Sequence, residues 1–452
     1  MEYYGVYHSA FETRYMGEKT SKIFSPDHRY ITWRWLWILL AEGEQKCGLS
    51  ITDNQINQMR KHMGDIPYAR VQEIEKETHH DVVAHIRAYA EQCPDAAPII
   101  HLGATSCYVT DNTDVILMHD AMDAIISKLN NLAGVLTWNA WCLNHTPTLG
   151  RTHFQPAQPV TIGKRYAMWS QDFDMDLDNL KYQKSNFKLL GCRGATGTAD
   201  SFLQLFEGDV DKVRKLEDYI VNNINVGRIF PVSGQTYTRK QDYYVLQVLS
   251  GIAQSATKFA TDVRLLAGLG EVSEPFSEKQ VGSSAMPYKQ NPILCEKICG
   301  LSRYIMTGVQ NAALTASSQW LERTLDDSSN RRVVIPEMFI ATEVILDTCL
   351  EVAQGLDWHM DTIADHLSTH KDNAMVEGVL AESVKHGGDR QKLHEKLRRY
   401  TVSKECELAV QIAGDPDFRL TLDKVHSIRD RISTGLAPEQ TAEYAYAKRS
   451  VL

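Results

Sequence analysis

Nothing in this 452-residue chain is apolar for long enough to cross a bilayer. Its opening, MEYYGVYHSAFETRYMGEKT, lacks the basic-then-apolar layout of an export signal, so a cytoplasmic protein is expected. There is no basic excess either. Lys and Arg number 48 against 57 Asp and Glu, a net charge of −9. That excludes a general nucleic-acid or membrane-surface binder, which needs a basic field, but not an anionic substrate held by a local cluster of cations. Cysteine is sparse: nine, an odd number, and the one close pair, Cys295 and Cys299, has no second pair to complete a zinc site. All nine read as reduced thiols. The glycines of GCRGATGTAD do not fall in the G-x-G-x-x-G spacing of a dinucleotide site. H-E-x-x-H is also missing; in HHDVVAH, a helix would turn His80 and His85 onto different faces. No metal and no cofactor is expected. Internal repeats, low-complexity tracts and Pro/Ser-rich linkers are lacking too. With 43% hydrophobic and 23% charged residues the chain is an ordinary globular one, not a disordered one.

What is present is mostly helix. The length exceeds what one core normally holds, so two or three domains are expected. DNTDVILMHDAMDAIISKLNNLAGVL opens with Asp and Asn as capping candidates and then spaces Val115, Met118, Met122, Ile125, Leu129, Leu132 and Leu136 by threes and fours. Val245, Leu249, Ile252, Ala256, Phe259, Val263 and Leu266 repeat the rhythm. Such heptad seams belong to helices packed nearly side by side. Further helix follows Asn291 and runs from Asn330 to about Trp358, with Pro336 as a possible kink. Helices of this length predict a long bundle completed by other subunits. Three domains follow: an N-terminal helical domain (1–106), a central long-helix bundle (107–358) and a C-terminal domain of shorter helices (359–452).

Three stretches carry candidate chemistry. VGSSAMPYKQNP, residues 281–292, pairs two small hydroxyls with a lysine and two helix-blocking prolines. Long polar loops in compact proteins are lids, binding loops or connectors. THFQPAQP surrounds His153 with hydrogen-bonding groups and prolines, which makes a catalytic histidine as plausible as a structural one. LERTLDDSSNRR gathers Arg323, Arg331 and Arg332 with Ser328 and Ser329, either a solvated turn or an anion site.

GSSAMPYKQNP resembles the signature of the fumarase/aspartase superfamily, roughly G-S-S-x-M-P-x-K-x-N-P. Its Ala-Met-Pro-Tyr-Lys wording is similar to the purine branch of that superfamily. So are RYITWRWLWILLAEGEQKCGL, HHDVVAHI, IIHLGATSCYVTDNTD, THFQPAQP, SFLQLFEGD, GQTYTRK, QWLERTLDDSSNRR and GGDRQKLHEKLR, which together span nearly the whole chain. The resemblance implies an all-α, three-domain fumarase/aspartase-like fold whose long central bundle completes a tetrameric core. It implies β-elimination of fumarate from adenylosuccinate and from succinyl-aminoimidazole-carboxamide ribotide, in homotetramers whose active sites are shared between subunits. A lyase for another succinyl adduct, such as argininosuccinate, and a non-catalytic structural relative are the alternatives.

Carried over residue by residue, the resemblance makes Ser283 the base at Cβ and His153 the acid at the departing nitrogen. Serine is a very poor base when free, and no sequence neighbour is an obvious activator. Arg14, Tyr15, Arg323, Ser328 and Arg332 correspond to contacts at the phosphate and ribose end. Lys289 lies near a succinyl carboxylate, where its charge stabilises the aci-carboxylate. Thr105 and Ser106 hold a carboxylate, Gln235 meets polar groups of the substrate, and His80 and Asp81 match a substrate-contacting pair. Lys297 stands where close relatives carry arginine, keeping the charge but losing the planar fork. The loop then reads as a lid, mobile at Gly282 and stiffened by its prolines.

Overall fold

Five helices of 24 to 37 residues carry the frame: Ser106–Cys142, Ile162–Ser185, Lys240–Gly268, Ile293–Ser317 and Asp326–Gly355. The longest contains no proline and a single glycine, Gly134, so nothing in its sequence interrupts the backbone ladder. A computed structural model describes residues 5–277, 279–403, 406–431 and 433–449. Both heptad seams are interior. Val115, Met118, Met122, Ile125, Leu129, Leu132 and Leu136 have no exposed surface, and Val245 through Leu266 are buried as well. Each fully buried Leu or Ile contributes about 2 kcal/mol. The single chain by itself covers these seams.

The helix predicted from Asn330 starts four residues earlier and continues through Pro336. The start of the longest helix differs more. Asp111 and Asn112 lie inside it, not at its cap, and are 2% and 1% exposed. Their side chains serve tertiary contacts: Asp111 accepts from Arg239, and Asn112 exchanges two hydrogen bonds with the backbone of Gly191. The three C-terminal pieces fall where their sequences place them, at Met360–Thr369, Lys371–Lys385 and Arg390–Ser403.

The chain divides into two compact units. One comprises residues 1–130, 175–256 and 299–347, the other 131–174, 257–298 and 348–452. In the first, Trp33, Leu36, Trp37, Leu40 and Tyr89 form part of a wholly buried aromatic and aliphatic interior. The second holds a C-terminal cluster around Val379, Leu393, Ile412, Phe418 and Val425. Strand is confined, among the described residues, to two short antiparallel pairs, and no helix is long and apolar enough to cross a membrane.

One interior residue sets a pH response. Glu44, on the helix Pro26–Lys46, is fully buried and neither carboxyl oxygen has a hydrogen-bond partner. Burial pushes its carboxyl up from 4.5 to about 9. Between those values the unfolded chain is ionised while the folded one keeps the proton, so stability falls as pH rises. The loss is about 1.4 kcal/mol per pH unit within that window. Glu44→Gln, which cannot ionise, should be the more stable protein in urea at pH 8. The difference should vanish near pH 4; equal unfolding midpoints at both pH values would show that Glu44 is not held neutral.

Candidate active site

His153 stands on a hairpin that helix periodicity could not announce. Pro147–Thr152 pairs antiparallel with Gln155–Thr161, and Thr152 faces Gln155, leaving His153 and Phe154 as the two-residue turn. Both turn residues have positive φ, 52° and 61°. A tight hairpin turn with both φ positive favours Asn-Gly, and a side chain forced there costs about 1 kcal/mol or more. The result is an imidazole held out from the turn, exposed to solvent. Just below its turn the hairpin is pinned by Glu271, which has no exposed side-chain surface. Arg151 donates to it at 3.0 Å, His366 Nδ1 lies at 2.8 Å and Arg165 at 3.7 Å. A cavity of about 480 Å³ opens beside Phe154, lined by Arg151, Lys164, Arg165, Trp169 and Lys258 among others.

The signature segment forms neither helix nor strand, in keeping with its two prolines. Its ends are tied together: Asn291 Nδ2 donates to the Gly282 carbonyl at 3.0 Å, and Lys289 N–H donates to the Met286 carbonyl at 3.0 Å. Gly282 has a packing reason beyond the freedom its sequence suggested. A Cβ there would lie 2.1 Å from the Lys289 carbonyl oxygen. Within the loop the Ser283 hydroxyl oxygen accepts from the backbone N–H of Met286 at 3.1 Å and of Ala285 at 3.4 Å. Donors aimed at an oxygen favour its negatively charged form over its neutral one. Lys289 is exposed and Lys297 is half-buried, one residue beyond the first turn of the following helix. That turn is capped by Glu274, whose carboxylate accepts from Leu294 N–H at 2.8 Å and Cys295 N–H at 3.1 Å.

The other unit gathers most of the remaining candidates. Gln235 donates its side-chain amide to the Ala195 carbonyl at 3.1 Å, and its amide oxygen faces the Cys107 thiol at 3.6 Å, beside Thr105 and Ser106. Its backbone N–H donates to the Glu322 carbonyl at 3.0 Å, next to Arg323. Gly234 permits this approach, since a Cβ would sit 2.5 Å from the same carbonyl. Arg323 pairs with Asp327 at 2.8 Å, and Asp327 with Arg239 at 2.7 Å. Arg239 also reaches Asp111 at 2.9 Å. Arg331 is consumed by the interior: it pairs with Asp242 at 2.7 Å and Asp114 at 3.0 Å and is 7% exposed. Arg332 points the other way, is exposed, and pairs with Asp81. One carboxylate engages only part of a guanidinium that offers five donors. Although burial works the other way, Arg332 holds the Asp81 carboxyl below its ordinary range. His80 is the N-cap of the helix Asp81–Gln92, its ring Nδ1 accepting from Val83 N–H at 3.5 Å.

His85, by contrast, is a core residue. It is 2% exposed, packs 4.0 Å from the Tyr30 ring centroid, and burial pushes it down to about 4. Among the described residues no three His, Cys, Asp or Glu side chains gather to hold a metal ion.

Arg14 and Tyr15 rest on different supports from that cluster. Arg14 ends the short helix Ala10–Thr13 and is exposed. Tyr15 packs edge-on to Phe11, which leans on Tyr304 with centroids 5.4 Å apart. Sequence reading missed Glu271, Glu274 and the Asp111–Arg239–Asp327 chain. None carries a local signal, because each partner lies 20 or more positions away along the chain.

Residues 14–307 match the family described as Lyase. The adenylosuccinate lyase of Schizosaccharomyces pombe is 43% identical over 98% of this chain and 95% of its own length. That of Saccharomyces cerevisiae is 40% identical over 98% and 94%. The crystal structure of 3-carboxy-cis,cis-muconate lactonizing enzyme from Pseudomonas putida, 20% identical, superimposes with a TM-score of 0.85 over 98% of this chain and 99% of that one, showing a shared fold. With four residues in ten identical to those relatives across almost the whole sequence, the chain belongs to the adenylosuccinate lyase family.

Proposed function

We infer that this chain is a carbon–nitrogen lyase of purine nucleotide biosynthesis. It cleaves adenylosuccinate to AMP and fumarate, and succinyl-aminoimidazole-carboxamide ribotide to its free carboxamide ribotide and fumarate. The observation that carries the mechanism is the pair of backbone N–H groups on the Ser283 oxygen. As alkoxide, Ser283 removes the Cβ proton of the succinyl group. The electron pair moves onto the neighbouring carboxylate, giving an aci-carboxylate that Lys289 stabilises by charge. Its collapse forms the fumarate double bond and breaks the C–N bond. His153 delivers a proton to the departing nitrogen, so one proton is taken and one returned. Thr105, Ser106 and Gln235 hold the succinyl and base portions, with His80 and Asp81 beside them. Arg14, Tyr15, Arg323, Ser328 and Arg332 take the phosphate and ribose, and Lys297 adds charge without the bidentate fork of arginine.

The working form is a cytoplasmic homotetramer in which each active site draws on several subunits. Exposed Met168, Met175 and Tyr182, spaced by sevens along the helix Ile162–Ser185, support a helix face that meets other copies. The three-domain division at 106 and 358 is supported by the long helix that begins at Ser106 and by the shortening of helices beyond Trp358. No cofactor or metal takes part, and the acidic balance of the chain speaks against nucleic acid as a partner. Following the ultraviolet spectrum of adenylosuccinate with purified protein should show conversion to AMP, and His153→Ala should slow it roughly 100-fold or more. A folded wild-type protein that leaves adenylosuccinate unchanged would overturn the reading.

A further inference from the structure

Glu343, in the middle of the helix Asp326–Gly355, has no exposed side-chain surface, yet its carboxylate is spent on a segment 324 positions away. One oxygen accepts from Thr20 N–H at 2.8 Å and from the Thr20 hydroxyl at 2.7 Å. The other accepts from Lys19 N–H at 3.2 Å and lies 3.5 Å from Lys128 Nζ. These donors are the first amides of the helix Glu18–Ile23, whose N-cap, Gly17, has no side chain to do the work. Gly17 also leaves space for the carboxylate: a Cβ there would stand 2.6 Å from the Glu343 oxygen. Burial opposes the negative charge, but Thr20, Lys19 and Lys128 together hold the carboxyl below its ordinary range.

The segment fastened this way leads straight into Met16, Tyr15 and Arg14. On the far side of Arg14 the helix Ala10–Thr13 buries none of its residues and leans on the body of the protein through the Phe11–Tyr304 ring contact. Arg14 and Tyr15 thus hang between a ring contact and a buried carboxylate clasp. We propose that Glu343 is a positioning residue for the phosphate end of the substrate, acting through the Gly17–Thr20 turn on Arg14 and Tyr15 without touching the substrate itself. This rests on the assignment of Arg14 and Tyr15 under the lyase reading. Gln in place of Glu343 would aim an amide donor at a backbone donor and drop the attraction to Lys128, loosening the turn.

The test separates the two ends of the reaction by product inhibition. AMP reports the phosphate end, and fumarate reports the succinyl end. In Glu343→Gln the inhibition constant for AMP and the KM for adenylosuccinate should rise about tenfold, while the fumarate constant and kcat stay within about twofold. Arg14→Ala should give the same signature, more strongly. Thr20→Val, which removes one hydroxyl donor and keeps the carboxylate, should shift AMP in the same direction by less; it decides the matter if Glu343→Gln does not fold. Unmoved AMP constants, or AMP and fumarate weakening together, would overturn the proposal and leave Glu343 a purely structural cap. A wild-type protein inert towards adenylosuccinate would instead overturn the lyase reading.

Discussion

Replacing Ser283 by Ala should lower kcat roughly 100- to 10,000-fold while leaving KM nearly unchanged. The side chain is small, half-buried and contributes little to holding a substrate that carries a phosphate and two carboxylates. What it contributes is an oxygen that accepts two backbone N–H groups, and such donors stabilise the alkoxide only if the loop keeps its shape. That shape depends on the Asn291–Gly282 contact and on the absent Cβ at Gly282. Ser284→Ala, one position on, is the control and should retain most of its activity. If the active site draws on several subunits, mixing Ser283→Ala chains with His153→Ala chains should restore part of the turnover. A Ser283→Ala enzyme of normal kcat would remove serine from the role of base.

The second large effect concerns stability. Arg239 is 2% exposed and sits between two carboxylates that are themselves 3% or less exposed, with its fork on both oxygens of Asp111 and its Nε on Asp327. Burial and the neighbouring Arg331 work against its charge, but Asp111 and the other anionic groups around it hold the guanidinium well above its ordinary value. Arg239→Met keeps much of the volume, strands the buried Asp111 carboxylate and leaves Asp327 with Arg323 alone. Removing one partner of such a pair costs about 3–5 kcal/mol, because the remaining charge has lost both water and its counterion. Urea unfolding should register that loss. Arg323, which reaches the same Asp327 from a site 23% exposed, should cost much less in stability when truncated and act mainly on substrate affinity. Equal unfolding midpoints for wild type and Arg239→Met would mean that the network is not holding this unit together.

Periodicity found what periodicity can encode. The seams from Val115 to Leu136 and from Val245 to Leu266 are buried because a repeat of three and four puts every member on one helix face, whatever packs against it. The two prolines of the signature loop likewise disfavour helix wherever the loop ends up. Capping, in contrast, was misread at Asp111 and Asn112. Short polar side chains before an apolar run look alike whether they meet the first amides of a helix or an arginine brought from 128 positions away.

By itself the sequence determined an all-helical frame, the irregular loop carrying Ser283 and Lys289, and through its motifs the family to which the chain belongs. Only the tertiary structure decided how these residues are held. The hairpin that lifts His153 needs two side chains at positive φ, which nothing in THFQPAQP announces. The carboxylates that fasten the working segments, Glu271, Glu274 and Glu343, look on paper like any surface acid. Burial against donors from distant parts of the chain is what makes each of them a fixed point, and that is a property of packing, which local pattern does not record.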